Sequence, residues 1–169
     1  MSHSPSSARS GKRSAGILLH RRRDGALEVF LVHPGGPFWA NRDAGVWSIP
    51  KGEYDAGEEP LAAARREFEE ELGSAPPPGQ TIDLGEIRQK SGKRVRAWAL
   101  AGEFDAEAVH SNSFTVEWPP RSGRQQEFPE VDRAAWFGLI EARARITPAQ
   151  AALLDRLEAS FGLVPEGVP

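Results

Sequence analysis

The chain has 169 residues, 39% of them hydrophobic, and a formal net charge of −3. This length suits one domain with a proper core, and the balanced composition excludes a fibrous or low-complexity protein. The mild acidity gives no general nucleic-acid-binding surface, and the absence of cysteine excludes disulfides, thiol catalysis and cysteine-ligated zinc.

One domain is predicted between two short terminal segments. Residues 1–13 are Ser-rich and basic with no apolar periodicity, which is typical of a disordered leader. Residues 14–162 form the predicted domain, which ends in a helix, and residues 163–169 form a tail. The longest early apolar run, Ala15–Leu19, is too short for a signal-peptide core or a membrane span. Together with the absence of cysteine, this favours a cytoplasmic protein that has no membrane association.

Several short strands precede and follow one central helical segment. The predicted extended segments are Ser14–His20, Ala26–His33, Trp47–Ile49, Ile82–Lys90, Arg94–Leu100, Phe114–Trp118 and Ala134–Phe137. A loop is predicted over Pro119–Pro129, and a terminal helix over Pro148–Phe161 has Thr147 as its N-cap. This mixed order of elements indicates an α/β or α+β fold.

The segment from Gly52 to Gly73 carries most of the functional information. Pro60 suits a first helical turn because its missing N–H is one that the helix does not use. Glu58 and Glu59 just before it favour the positive end of a helix dipole. The apolar residues whose spacing predicts a helix over residues 59–72 are Leu61, Ala64, Phe68 and Leu72.

Three glutamates on this helix, Glu67, Glu70 and Glu71, share one face because they lie at positions i, i+3 and i+4. They repel one another and crowd the helix C-terminus, where the dipole disfavours anions. Arg66 can pair with Glu70. A divalent cation would turn the repulsion into attraction, since Mg²⁺ takes carboxylate oxygens as ligands. A solvated acidic face is the alternative interpretation of the same pattern.

The glutamates belong to a longer pattern of fixed spacing. A glycine is followed after five residues by a glutamate, and after seven more by Arg-Glu, an apolar residue, any residue, Glu-Glu, any residue and glycine. The residues that occupy these positions are Gly52, Glu58, Arg66, Glu67, Phe68, Glu70, Glu71 and Gly73. The segment resembles the Nudix box. It departs from that motif only at Ser74, where an apolar residue is expected.

The resemblance implies both a fold and an activity. The fold would be an α/β (α+β) sandwich, with a mixed sheet between helices and the box as a loop–helix–loop. The activity would be hydrolysis of nucleoside diphosphates linked to another moiety, with Mg²⁺ or sometimes Mn²⁺. The carried-over catalytic and metal-binding residues are Glu67, Glu70 and Glu71, with Arg66 orienting a carboxylate and the Lys51 carbonyl as a backbone metal ligand.

Two further box residues have expected supporting roles. Gly52 would let the loop turn sharply and approach the ion, because it has no Cβ. Glu58 would support the junction between loop and helix or cap the helix, with direct metal ligation as the alternative. Nudix enzymes often recruit another carboxylate from a later loop, and Glu127 or Glu130 is the expected donor here, although surface acids are commonly only solvated.

Substrate contacts are expected from aromatic and basic residues near the box. The candidate substrate-binding residues are Trp39, Trp47, Lys51, Arg88 and Arg94. The tryptophans can stack a base, although most of the five tryptophans are expected in the core. The basic residues can receive phosphates, although they can equally protect a sheet edge. Arg121 and Arg124, in the predicted Pro119–Pro129 loop, are candidates for a phosphate clamp.

The sequence favours a divalent-metal-dependent pyrophosphohydrolase whose partner is a small nucleotide. The stretch from Trp47 to Gly52 resembles the approach to the box in diadenosine polyphosphate hydrolases of this family. This favours a dinucleoside polyphosphate over a damaged deoxynucleotide, a nucleotide sugar or ADP-ribose. Two alternatives stay open: a nucleotide sensor that uses the scaffold without hydrolysis, and a scaffold used for protein contact.

Overall fold

A six-stranded mixed sheet forms the centre of the computed structural model, which describes residues 12–162. The strands are β1 Arg13–Arg23, β2 Ala26–Pro34, β3 Lys51–Glu53, β4 Thr81–Arg88, β5 Arg94–Ala101, β6 Ser113–Glu117, β7 Gln125–Pro129 and β8 Val131–Gly138. The central sheet has the order β4-β5-β1-β2-β8, and β3 adds to β1. Strands β1 and β5 are parallel, whereas the other pairs are antiparallel. Strands β6 and β7 form a separate hairpin.

Helices cover both faces of this sheet. They are α1 Pro60–Leu72, α2 Leu139–Arg145 and α3 Ala151–Ser160. Helix α1 buries Phe68 and Leu72 against one face, where Ile17 and Leu19 of β1 meet them. Alternate residues of β1 point to the other face, whose core includes the buried leucines of α3. Because both faces are covered, β1 reads as a continuous apolar run.

Local sequence explains where α1 begins and ends. The Glu59 side chain accepts hydrogen bonds from the backbone N–H groups of Leu61 and Ala62, at 3.2 and 2.9 Å, which caps the helix N-terminus. Pro60 occupies the first turn, as its ring geometry favours. Gly73 has φ +86° and donates to the Glu69 carbonyl, so a left-handed glycine ends the helix.

The predicted fold class is confirmed, as are most of the strands and the helix over residues 59–72. The interpretation of Pro119–Pro129 as one loop was wrong, because its second part forms β7. Strand β3 and helix α2 were not predicted. The terminal helix begins with a 3₁₀ turn at Pro148–Gln150, and Thr147 makes no side-chain capping bond.

The chain termini fall mostly beyond the described residues. The proposed leader lies there except for its last two residues, and the tail lies there entirely. Of the leader, Arg13 starts β1, and the Lys12 carbonyl accepts a hydrogen bond from Arg94 N at 3.0 Å. Over residues 12–162, none of the helices has the length and apolar character needed to cross a membrane.

Candidate active site

Glu71 is the acid that the fold places in the least aqueous position of the box. It lies near the C-terminal end of α1, which packs against β1 and β3. Burial raises the pKa of its carboxyl to about 8, and the charges of Glu130 and Glu67 act in the same direction. The Lys51 ammonium and backbone N–H oppose that shift. Such a carboxyl is a strong candidate for a metal ligand, because an ion would stabilise its charged form.

Glu67 lies directly above Gly52. A Cβ added at Gly52 would sit 1.7 Å from Glu67 Oε1 and 2.2 Å from its Cδ. Gly52 belongs to β3 and is not among the glycines with positive φ. The expectation that Gly52 serves a sharp turn is therefore corrected: its missing side chain makes room for the Glu67 carboxylate. Burial raises the pKa of Glu67, with the Arg66 hydrogen bond opposing.

Arg66 binds three acidic side chains at once. Its Nε and Nη2 donate to the two carboxylate oxygens of Glu58, at 2.8 and 2.9 Å. Its Nη1 donates to Glu67 Oε2 at 2.7 Å and also to Glu70. These hydrogen bonds, those to Glu58 first, raise the pKa of Arg66. Arg66 thus connects Glu58, in the loop before α1, to two acids of the helix, and the roles of Arg66 and Glu58 in the site stay predictions.

Glu127 and Glu130, the two candidates for an additional metal ligand, have different positions in the structure. Glu130 follows β7 directly, and its charge is close enough to raise the pKa of Glu71. Its backbone N–H donates to the Asn112 carbonyl at 2.8 Å, which ties this segment to residues beside the end of α1. Glu127 lies within β7, and both acids are exposed. The effect of Glu130 on Glu71 favours it over Glu127 as the additional carboxylate.

Two lysines bring positive charge to the acidic cluster. Burial and then the charge of Lys93 lower the pKa of Lys51, whereas Glu71 raises it. Lys93 Nζ lies 3.0 Å from a carboxylate oxygen of Glu53, the last residue of β3. The β4–β5 hairpin therefore reaches β3 of the box through Lys93. The sequence spacing does not predict this contact, because it depends on how the hairpin lies against the short strand β3.

The two candidate arginines of the hairpin lie opposite each other in the β4–β5 register. Arg94 pairs in register with Arg13 and Arg88, and its Nη1 lies 3.8 Å from Glu86. Arg88 is exposed and makes no ion pair with any residue in the described part of the chain. Their predicted substrate contacts stay predictions.

The two tryptophans proposed for base stacking have different environments. Trp47 is 2% exposed, packs edge-on against Phe137 and donates its ring N–H to Asp43 at 2.8 Å. The stacking role predicted for Trp47 is therefore corrected, because its ring is already enclosed in the core. Trp39 is 38% exposed and keeps a ring that a ligand can contact. Arg121 and Arg124 are exposed near the end of the β6–β7 hairpin.

The donor set fits a hard divalent cation. Glu67, Glu71 and Glu130 are close enough for their charges to act on one carboxyl, and β3 leaves a cradle at Gly52 that a Cβ would fill. Between residues 12 and 162, no group of three acidic or histidine side chains already surrounds one point. Two of the box acids, Glu67 and Glu70, instead accept hydrogen bonds from the same nitrogen of Arg66.

Comparison with known proteins agrees with this geometry. A family model described as the NUDIX domain matches residues 11–157. An RNA pyrophosphohydrolase of Rhizobium meliloti is 30% identical over 158 aligned residues, which cover 79% of this chain and 89% of the relative.

Solved structures share the fold at lower sequence identity. The binary complex of the C. elegans Ap4A hydrolase has a TM-score of 0.60 and 22% identity, with 89% of this chain and 98% of that chain covered. The NUDIX domain of Shewanella oneidensis NrtR, complexed with ADP ribose, has a TM-score of 0.63 and 16% identity, with 94% of each chain covered. Nudix enzymes generally use divalent metal cations. The chain belongs to the Nudix family and is a hydrolase that acts on pyrophosphate bonds.

Proposed function

We propose that the protein is a Mg²⁺-dependent hydrolase of a phosphoanhydride bond in a nucleoside polyphosphate, with a dinucleoside polyphosphate as the preferred substrate. Mn²⁺ would also support the reaction in place of Mg²⁺. The observation that carries the proposal is the position of Glu71, a carboxyl with a pKa of about 8 that lies close to Glu67 and Glu130. Mutually repelling acids of this kind are stabilised when a doubly charged ion lies among them.

Each residue of the site then has a defined role. A bound divalent ion neutralises phosphate oxygens and lowers the pKa of a water nucleophile. Glu67, Glu70, Glu71 and the Lys51 carbonyl hold the ion, with Glu130 as the additional carboxylate. Arg66 orients Glu67 and Glu70 through Nη1, because its Nε and Nη2 are held by Glu58.

Proton transfer and phosphate binding fall to neighbouring groups. Glu67 or Glu130 accepts the proton of the attacking water, since both carboxylates lie beside Glu71. The ammonium groups of Lys51 and Lys93 donate hydrogen bonds to oxygens of the polyphosphate. The negative phosphate charge offsets the repulsion between the two lysines. Lys51 thus contributes its carbonyl to the ion and its side chain to the substrate.

A substrate panel with one matched pair of variants tests the proposal. The panel contains nucleoside triphosphates, dinucleoside polyphosphates, nucleotide sugars and ADP-ribose, with Mg²⁺ or Mn²⁺, and the products are separated by chromatography. Glu71→Gln should reduce turnover to background while the protein stays folded. Glu69→Gln, an exposed acid of the same helix, should keep turnover within about twofold. Equal turnover by both variants would contradict the assignment.

A second candidate substrate is the 5′-triphosphate end of RNA. It is favoured by the similarity to the Rhizobium meliloti enzyme, which is named RNA pyrophosphohydrolase. Inclusion of a triphosphorylated oligonucleotide in the panel distinguishes it from a dinucleoside polyphosphate. Tight nucleotide binding without any product, across the whole panel, would instead indicate a nucleotide sensor. A cytoplasmic location, a single domain over residues 14–162 and the absence of general nucleic-acid binding stay predictions.

A further inference from the structure

Two separate segments bring aromatic side chains together at the surface. The loop of residues 35–46, which follows β2, exposes 57% of Phe38 and 38% of Trp39. The β6–β7 hairpin carries Trp118 just after β6. The rings of Phe38 and Trp118 meet edge to face, with their centroids 5.4 Å apart. This pair was not expected from the sequence, because its members lie 80 residues apart.

The loop and the hairpin are attached to each other. Phe114 of β6 lies over Gly36, where an added Cβ would be 2.7 Å from the ring. Gly35 N donates to the Glu130 carbonyl at 2.9 Å, and Glu130 is the carboxylate proposed above as the additional ligand. The loop and the hairpin are therefore attached to the segment that carries Glu130.

Trp118 is held in place before any ligand binds. Its backbone N–H donates to the Arg124 carbonyl at 2.9 Å, and its own carbonyl accepts from Gln126 Nε2, also at 2.9 Å. Gly123 N donates to Glu117 at 2.7 Å, which closes the turn between the two strands. A ring on such a fixed backbone loses little conformational freedom on binding.

Positive charge surrounds the same rings. The Arg42 guanidinium lies 5.6 Å from the centre of the Trp39 ring, and Arg121 and Arg124 are exposed on the turn beside Trp118. Exposed aromatic rings combined with arginines are the usual features of a surface that binds bases and phosphates.

We propose that Phe38, Trp39 and Trp118 form the binding surface for the second base of a dinucleoside polyphosphate. The polyphosphate would run from the acidic site, past Glu130, toward the arginines of the hairpin and loop. The proposal rests on the proposed function and deepens it, because it explains why a substrate with two bases is preferred. A mononucleotide would leave this surface empty.

Equilibrium binding of non-hydrolysable analogues tests the surface independently of catalysis. Titration calorimetry in Mg²⁺ would compare a methylene-bridged dinucleoside tetraphosphate with the corresponding mononucleoside tetraphosphate. Phe38→Ala and Trp118→Ala should each weaken binding of the dinucleotide about tenfold. Both should leave binding of the mononucleotide within about twofold. Phe38→Tyr, which keeps an aromatic ring, should restore dinucleotide affinity.

Controls separate stacking from a structural role and from failure of the proposed function. Ile140→Ala removes another exposed apolar side chain, 69% accessible on α2, and should change neither affinity. Because Phe38 is largely exposed, Phe38→Ala should leave the fold intact. The test therefore remains decisive even if Trp118→Ala fails to fold. Equal losses for both analogues, or no loss for Phe38→Ala, would overturn the proposal. A dinucleotide with a 5′-triphosphate is titrated as a third ligand. If the variants weaken binding of this ligand only, the surface binds RNA ends and the proposal is overturned.

Absence of hydrolysis would contradict the proposed function while the binding experiment still decides the role of these rings.

Discussion

At the scale of single residues, Glu71 shows how burial prepares an acid for an ion. A carboxyl with a pKa of about 8 binds a proton more tightly in the folded state than in the unfolded chain, whose value is near 4.5. Between these values the folded state holds more protons than the unfolded state. The metal-free protein therefore loses stability as pH rises from about 4.5 to about 8, and the penalty stays constant above that range.

Thermal unfolding without metal measures this penalty. Wild-type protein should lose at least about 1 kcal/mol of stability between pH 5 and pH 8 through this group. Glu71→Gln should flatten that part of the profile, because the amide does not titrate. Saturating Mg²⁺ should restore wild-type stability at pH 8 but leave the variant unchanged. Parallel pH profiles for the two proteins would show that Glu71 is not desolvated.

Gly52 gives the sharpest steric prediction. Gly52→Ala places a methyl group where Glu67 Oε1 now lies, so the carboxylate must move away from β3. A displacement of about 1 Å at a catalytic group commonly reduces kcat/KM about 100-fold. The fold should survive, since only the flexible end of a side chain is displaced. The control is Gly57→Ala, whose added Cβ meets nothing within 4 Å, and equal activity of the two variants would contradict the assigned contact.

Sequence patterns predicted which glutamates share one helix face, but not the surroundings of each candidate acid. The spacing alone placed Glu67, Glu70 and Glu71 on one face of a helix, and the helix is present. It did not distinguish Glu130 from Glu127, because both are acids of one polar stretch. Only the position of Glu130 after the end of β7, where its charge acts on Glu71, separates them. The burial of Trp47 was likewise missed, since its partner Phe137 comes from a distant strand.

At the scale of elements, Arg66 joins the loop before α1 to the acidic face of that helix. It holds Glu58 with two hydrogen bonds and reaches Glu67 with a third. Arg66→Lys keeps the charge but cannot form the paired contact, because an ammonium has no planar fork. Substrate turnover should fall about tenfold, as for other residues that orient metal ligands.

Two measurements and a control variant identify this as a positioning effect. The concentration of Mg²⁺ needed for half-maximal activity should rise for Arg66→Lys, whereas circular dichroism should stay unchanged. Arg65→Lys, an exposed neighbour on the same helix, should alter neither value. An unchanged Mg²⁺ requirement in Arg66→Lys would indicate that Glu58 and Arg66 serve only the stability of the helix N-terminus.

Local elements were predictable where local chemistry determines them. The helix over residues 59–72 has its own cap, proline and glycine, and strands β1 and β2 have long apolar runs. Strand β3 has only three residues, Lys51–Glu53, and exists because β1 offers it hydrogen-bonding partners. Strand β7 is polar along most of its length and depends on its pairing with β6. Such elements are set by tertiary partners that a local pattern does not contain.

At the scale of the whole molecule, the sheet separates two cores that contribute differently to function. One core holds α1, and with it Glu67 and Glu71, against β1. The other lies on the opposite face and includes the buried Leu153, Leu154 and Leu157 of α3. Both cores stabilise the same cooperative unit, but only the first touches the acidic site. Stability and activity should therefore respond differently to substitutions on the two faces.

One substitution in each core tests this separation. Leu154→Ala should lower the free energy of unfolding by about 2–5 kcal/mol, because it leaves a cavity beneath α3. Phe68→Leu should lower it by only about 1–2 kcal/mol, but it loosens the helix that carries Glu67 and Glu71. Well below the unfolding temperature, Leu154→Ala should keep kcat within about twofold, whereas Phe68→Leu should reduce it more. The larger stability loss would thus accompany the smaller activity loss. The opposite order would mean that packing beneath α3 reaches the acidic site through the sheet.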